Sequence, residues 1–293
     1  MPEGPEVYCC VQFLKTVFEN KNKTVVSSSS FDLCSNSYCC QNEKGWTIHS
    51  HGKFIWGRTE KGGGFLCRLG LSGEFYGCGR ARSSKYQHKK NNKVDPIHVD
   101  IYLSSDEEND NDNEKLVFSD ISGYGMFKFM DPQSFQREWE NEMEKMGPCW
   151  INELVQSKNP NKETWKARLK QKGNRARIGT VLCNQAIYAG IGNYLRSEIL
   201  FCAQIHPFRK SNTLTDKEWN RLIDCAIHII KECMEKRWSM RIYNRKLALI
   251  CGDLDNWTDF HTHNQEDKVL TVQNLIMDGT RKVFICPQVQ VLP

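Results

Sequence analysis

The stretch GWTIHSHGKFIWGRTEKGGGFLCRLGLSGEFYG, residues 45–77, reads as a run of short strands. β-Branched and aromatic residues recur in short blocks, and glycines punctuate them at turn spacing. Working outward, TVVSSSSFDL (24–33), HVDIYL (98–103) and KLVFSDISGYGMFKFM (115–130) carry the same signature. Short strands at this density predict a β-sandwich or barrel over residues 1–130. Ahead of them, Val7, Val11, Leu14 and Phe18 recur at helical spacing, which predicts a helix from Glu6 to Glu19 packed on the strands.

Beyond residue 131 the period changes. FQREWENEMEKM, KETWKARLKQK, ARIGTVLCNQAIYA, NYLRSEILFCAQ and TDKEWNRLIDCAIHIIKECMEKR each place apolar residues three and four apart. Thr215-Asp216 offers an N-cap for the last of these. From residue 241 the chain returns to short strand-like runs ending in DGTRKVFICP. The expected fold class is therefore α+β: a β-sandwich or barrel domain (1–130), a helical domain (131–240) and a β-hairpin appendage (241–293).

Composition narrows the class of partner. The 293 residues suffice for about two domains. With 39% hydrophobic residues and a mean hydropathy of −0.59, no window approaches the ~18 apolar residues of a membrane span. The start MPEGPEVYCC lacks the basic and apolar run of a signal peptide, so an intracellular protein is expected. The net charge of +5 includes six acids between Asp106 and Glu114, so the rest of the chain is more basic than the total suggests. Such a body suits a polyanionic partner. Residues 80–96 (basic) and 104–115 (acidic) read as solvated loops. None of the fourteen cysteines forms a CxxC pair, and reduced thiols are expected, with Cys34, Cys39 and Cys40 as small apolar residues beside strands.

Four short segments can carry chemistry. If the initiator methionine is removed, Pro2 presents a secondary amine whose pKa lies near the ~8 of an α-amino group. Such an amine can attack an electrophilic sugar carbon and form an iminium. Glu3 beside it is a candidate general acid or base if burial raises its pKa. Taken alone, MPEGPE reads more simply as a turn-rich start. In Ala189-Gly190-Ile191-Gly192-Asn193 the glycines permit a tight turn between helices, and Asn193 can donate to a phosphate and cap the next helix. A structural helix-turn-helix would look similar. Lys53, in HGKFIWG, and Arg281, beside Asp278-Gly279, are cations that can meet phosphate, although lone surface cations usually do nothing.

Taken in order, MPEGPEV, HGKFIWG, RLGLSGEFYG, NQAIYAGIGNYLRSEILFCAQIHP and TRKVFICP resemble the formamidopyrimidine-DNA glycosylase / endonuclease VIII family along the whole chain. The resemblance implies a bifunctional DNA glycosylase/AP lyase of base excision repair. Pro2 matches its nucleophile and Glu3 its acid/base. Lys53, Asn193 and Arg281 match residues that grip the phosphates around the lesion, with Arg281 linked to δ-elimination. Glu6 matches a second acid at the lesion pocket, and Lys145 stands in for a DNA-contacting arginine. Leu71 and Tyr124 lie where the family places side chains that fill the gap left by an extruded nucleotide.

Two departures refine these expectations. The family's usual four-cysteine zinc finger is missing, since only Cys286 remains of the last pair. A zincless finger is expected, with no cofactor; Cys251, His261, His263 and Cys286 are the alternative metal set. In DISGYG, Ser122 and Gly123 stand where many members favouring 8-oxoguanine have two arginines. Endonuclease VIII-like specificity follows: oxidised pyrimidines and hydantoins, in double- or single-stranded damaged DNA, handled by a monomer. Zincless fingers and Asn- and Lys-rich loops also resemble giant-virus members. The expected compartment is nuclear for a eukaryotic host, and the virus factory or cytoplasm for a virus. The alternatives are an inactive DNA-damage-binding module of the same fold and an RNA-binding protein.

Overall fold

The computed structural model describes residues 2–19, 24–30, 43–78, 97–104, 114–157, 160–235, 273–277, 281–287 and 289–292. The loops 80–96 and most of 104–115 lie outside these residues, as do Cys34, Cys39, Cys40, Cys251, His261 and His263. The chain divides into two compact units: Met1–Pro2 with Val7–Lys145, and Glu3–Glu6 with Met146–Pro293.

The first unit is built from two four-stranded antiparallel sheets. One has the order β1 (Thr24–Ser30), β6 (Ile97–Ser104), β7 (Glu114–Asp120), β5 (Glu74–Gly77). The other has the order β2 (Thr47–His51), β3 (Phe54–Arg58), β4 (Gly64–Arg68), β8 (Met126–Met130). Val99, Ile101 and Phe118 from the first sheet share one core with Ile48, Ile55, Phe65, Phe127 and Phe129 from the second. Phe127 links them: its ring lies 5.0 Å from Phe65 and 5.6 Å from Phe118, and Phe118 lies 5.0 Å from Phe75. Rings at these separations add to what their burial alone contributes. The result is a β-sandwich.

Helix α1 (Gly4–Phe18) buries Val7, Val11, Leu14 and Phe18 in the same core, as the spacing predicts. It begins two residues earlier than Glu6. The backbone N–H of Glu3 donates to the Glu6 carboxylate at 2.7 Å, which is half of a capping box. Helix α2 (Pro132–Glu144) starts at Asp131, whose carboxylate accepts from Gln133 N and Ser134 N, both at 3.0 Å. It packs on β4 and β8, with Phe135 buried against Gly64 of β4.

The second unit holds α3 (Trp150–Gln156), α4 (Lys162–Lys172), α5 (Ile178–Cys183), α6 (Asn193–Cys202), α7 (Asp216–Glu235) and the hairpin β9 (Gln273–Met277)–β10 (Arg281–Ile285). Trp150, Trp165 and Tyr188 form an aromatic cluster with ring separations of 4.5–6.2 Å. The run 176–189 is not one helix, as its periodicity suggested, because α5 stops at Cys183. Asn184 ends it: its side chain accepts from Ala186 N at 3.0 Å, and its carbonyl accepts from Ile187 N and Tyr188 N. Side-chain capping of this kind offers the backbone a turn in place of further helix. Ile187 and Tyr188 are buried from that turn.

The hairpin is fastened by polar bonds. Phe284 N donates to Ser197 Oγ at 3.3 Å, and the buried Gln290 accepts from Cys286 N and donates to the Ile205 carbonyl, both at 2.9 Å. Among the described residues, no three His, Cys, Asp or Glu side chains gather as a metal site would need. Nor is any helix among them long and apolar enough to cross a membrane.

Helix α7 opens with a full capping box: Thr215 N donates to Glu218 Oε2 at 2.8 Å, and Glu218 N donates to Thr215 Oγ1 at 3.3 Å. Arg209 also donates to Glu218. That bond, helped by Thr215 and opposed by burial, lowers the Glu218 pKa from 4.5 to about 2. A carboxyl depressed in the folded state stabilises the protein above its unfolded pKa and loses that contribution as pH falls through the folded value. Urea midpoints should therefore decline between pH 4.5 and about 2 in the wild type. Glu218→Gln should be less stable at neutral pH and decline less steeply across that window.

Candidate active site

Side-chain hydrogen bonds and one positive-φ glycine shape the turn between α5 and α6. Gly190 lies at φ 116°, a left-handed conformation that glycine adopts without strain. The Gln185 side chain spans the turn, accepting from Gly190 N at 3.0 Å and donating to the Cys183 and Ile191 carbonyls at 2.8 Å. Gly4 N donates to the Gly190 carbonyl at 2.8 Å, and a Cβ on Gly4 would run into Ile151 and the Gly190 backbone. The start of the chain and this turn thus pack backbone to backbone.

Glu3 completes the arrangement. Its side chain is fully buried, with Oε2 accepting from Gly192 N at 2.8 Å and Leu195 N at 3.0 Å. Oε1 accepts from Tyr194 N at 2.8 Å. The first backbone N–H groups of a helix have no intrahelical partner, and the helix dipole makes that end partly positive. A carboxylate from the extreme N-terminus therefore satisfies α6 at its start. Asn193 was expected to cap this helix but does not. Gly192 occupies the N-cap position with no side-chain bond, and Asn193 is the first helical residue. Its Oδ1 accepts from the guanidinium of the buried Arg196, which leaves Nδ2 as the amide's donor. Arg196 also reaches Met277 Sδ in the hairpin at 3.5 Å.

The other expected residues fall as follows. Pro2 is buried and directly precedes Glu3. Glu6 caps α1 through Glu3 N. Lys53 occupies the two-residue turn of the β2–β3 hairpin, after Gly52 at φ 60°, and is half-buried. Among the described residues it makes no hydrogen bond or ion pair. Lys145 caps the C-terminus of α2 and pairs with Glu142 at 3.1 Å, with its own side chain 66% exposed. Arg281 opens β10 opposite Met277, and its side chain lies outside the described residues. Leu71 is 46% exposed in the turn before β5, and Tyr124 is 73% exposed in the turn before β8. Of the alternative metal set only Cys286 is described, and its N–H is bound to Gln290.

Gln185 and Arg196 were missed by sequence reasoning. Gln185 sits in a segment whose periodicity looked helical, but the Asn-Gln pair ahead of two glycines is a turn signal. Arg196 sits beside Leu195 and one turn from Ile199 and Leu200 in α6, and a charged residue among such buried neighbours is a signal for a buried partner.

The fold and these motifs have relatives. A family model described as the formamidopyrimidine-DNA glycosylase N-terminal domain matches residues 1–127, and one described as the formamidopyrimidine-DNA glycosylase H2TH domain matches residues 155–243. Together they cover well over half of the chain. A formamidopyrimidine-DNA glycosylase of Legionella pneumophila is 25% identical, with 99% of this chain and 98% of the relative aligned. One of Symbiobacterium thermophilum is 28% identical, over 59% of this chain and 48% of that relative. Among solved structures, Lactococcus lactis Fpg in complex with abasic-site-containing DNA matches with a TM-score of 0.71 at 16% identity, covering 99% of this chain and 100% of that one. The wild-type Lactococcus lactis Fpg complex with oxidized-pyrimidine-containing DNA matches over the same shares with a TM-score of 0.72, also at 16% identity. At that identity the structures speak for the fold alone. With both parts of the sequence matched in order by models of one family, the chain belongs to the formamidopyrimidine-DNA glycosylase / endonuclease VIII family.

Proposed function

We propose that the protein is a base-excision-repair DNA glycosylase that removes oxidised pyrimidines and hydantoins and then cleaves the backbone as an AP lyase. The observation that carries this reading is the Glu3 carboxylate held by three N–H groups at the start of α6, which fixes the residue next to Pro2 at the helix that begins with Asn193. A catalytic group needs this kind of preorganisation, since misplacement by 1 Å can cost about 10²-fold in rate.

In this reading Met1 is removed and the Pro2 amine attacks C1′ of an extruded nucleotide. Glu3 manages the proton as the base leaves, and the ring-opened sugar becomes an iminium on Pro2. Loss of a C2′ proton expels the 3′-phosphate by β-elimination, and δ-elimination releases the 5′-phosphate. The charge of Lys53, the Nδ2 donor of Asn193 and the hairpin's Arg281 hold phosphates through these steps. None of the steps calls for a metal or an organic cofactor. Ser122 and Gly123 offer no guanidinium to the opposite base, which supports a weak preference there.

A second reading, a damage-binding module without turnover, draws on the same bonds, because capping α6 would hold Glu3 in place without catalysis. The two separate on a duplex with one oxidised pyrimidine. The glycosylase reading expects a one-nucleotide gap with phosphate at both ends, and an intact strand even after hot alkali would overturn it. Lys53→Ala should slow cleavage about 10–100-fold through loss of a charged hydrogen bond. Glu3→Gln, which sets an amide NH₂ against a backbone N–H, should reduce base release and lower stability by about 0.5–2 kcal/mol. Unchanged urea unfolding of that variant would contradict the capping role.

A further inference from the structure

Two exposed apolar side chains, Leu71 and Tyr124, ride on neighbouring turns of the first unit. Large apolar residues presented on turns are suited to wedge between base steps, provided the turns do not yield when the bases press back. What holds these turns is a single buried carboxylate. Asp120 ends β7 with no exposed surface. Its Oδ1 accepts from Ser72 Oγ in the Leu71 turn, and from Ser122 N at 3.0 Å and Ser122 Oγ at 2.6 Å in the Tyr124 turn. Its Oδ2 accepts from Gly125 N at 2.6 Å. Ser122 N also donates to Ser72 Oγ at 2.9 Å, closing the network across both turns.

The backbone is shaped to the same end. Gly70 lies at φ 60°, and a Cβ there would collide with the backbone of Tyr124 and Gly125. Gly73 N donates to the Leu69 carbonyl at 2.6 Å, which closes the Leu71 turn on itself. On each turn the exposed side chain directly precedes a residue that bonds the carboxylate, Leu71 before Ser72 and Tyr124 before Gly125. The chain thus keeps a buried charge whose partners are all turn groups, and a charge out of water is retained only when such bonds satisfy it.

We infer that Asp120, through Ser72 and Ser122, is a positioning residue that locks Leu71 and Tyr124 into one rigid two-pronged wedge, inserted into duplex DNA when the damaged nucleotide leaves the stack. The inference rests on the glycosylase reading above. Burial raises the Asp120 pKa, but the bonds from Ser122, Ser72 and Gly125 outweigh it and leave the carboxyl below its ordinary value. The network is therefore charged under any neutral assay condition. It also explains how the DISGYG turn stays ordered without the arginines it lacks.

The test uses a duplex carrying a tetrahydrofuran abasic analogue flanked by 2-aminopurine, whose fluorescence rises on unstacking and requires no chemistry. The full-length wild type should raise the signal on binding. Asp120→Asn should bind a single-stranded oligonucleotide with the same analogue as the wild type does, within about threefold, yet lose most of the rise on the duplex. On a duplex with an oxidised pyrimidine its kcat should fall about tenfold or more, because the nucleotide must be unstacked before the base is released, with KM little changed. Ser72→Ala, which keeps the carboxylate, should give a smaller loss of the same kind and covers the case that Asp120→Asn fails to fold. In a Leu71→Ala/Tyr124→Ala background, Asp120→Asn should add almost nothing, since groups acting as a unit are not additive. Equal losses on single strand and duplex, or a full additional loss in the wedge-less background, would overturn the inference. A wild type that unstacks the duplex but releases no base would instead overturn the glycosylase reading and leave the wedge standing.

Discussion

The carboxylate of Glu3 reaches the backbone N–H groups at the start of α6, 189 to 192 residues away along the chain. A helix start buried without partners would leave unsatisfied donors, each costing on the order of 1–3 kcal/mol. Here the partner comes from the third residue of the protein. The chain's beginning is therefore held by the same bonds that complete the helix–two-turn–helix motif, and neither can be altered without disturbing the other. Gly4 tightens the link by donating to the Gly190 carbonyl, and Glu6 closes α1 against Glu3 N.

Around this constraint the two units do different work. In the first, a ring-filled sandwich core gives the strand pairs β2–β3, β4–β5 and β7–β8 a rigid base from which Lys53, Leu71 and Tyr124, respectively, are presented on tight turns. Close-packed interiors of this kind transmit force and do not flow. In the second, polar side chains take over where helices end. Asn184 stops α5, Gln185 spans the glycine turn, Arg196 orients Asn193, and Gln290 and Ser197 fasten the hairpin. The hairpin's hold on α6 and Ile205 rests on packing and amide bonds among the described residues.

Much of this was legible in the sequence because it depends on local period and composition. Val7, Val11, Leu14 and Phe18 face the core as their spacing requires, and Gly52-Lys53 makes the two-residue turn that glycine favours. The Thr215 cap of α7 follows from residue type alone. What escaped depends on partners distant in sequence. Asn193 looked like a cap because it stands where a cap belongs, yet Glu3 takes that role from the far end of the chain. Asp120 lies inside the strand-like run 115–130, and nothing local shows that Ser72, 48 residues earlier, shares its oxygen with Ser122. The run 176–189 kept a helical pattern because Ile187 and Tyr188 are buried from a turn, which periodicity cannot distinguish from a helix.

In the proposed mechanism the nucleophile is Pro2, the residue beside Glu3. Borohydride reduction of the processed protein mixed with an oligonucleotide bearing one abasic site tests it directly. A Pro2 nucleophile requires a covalent adduct in which peptide mapping places the sugar remnant on the Pro2 nitrogen, and no adduct from a folded Pro2→Ala variant. A wild type that is correctly processed and binds the oligonucleotide but yields no adduct, or an adduct mapped to a lysine, would contradict it.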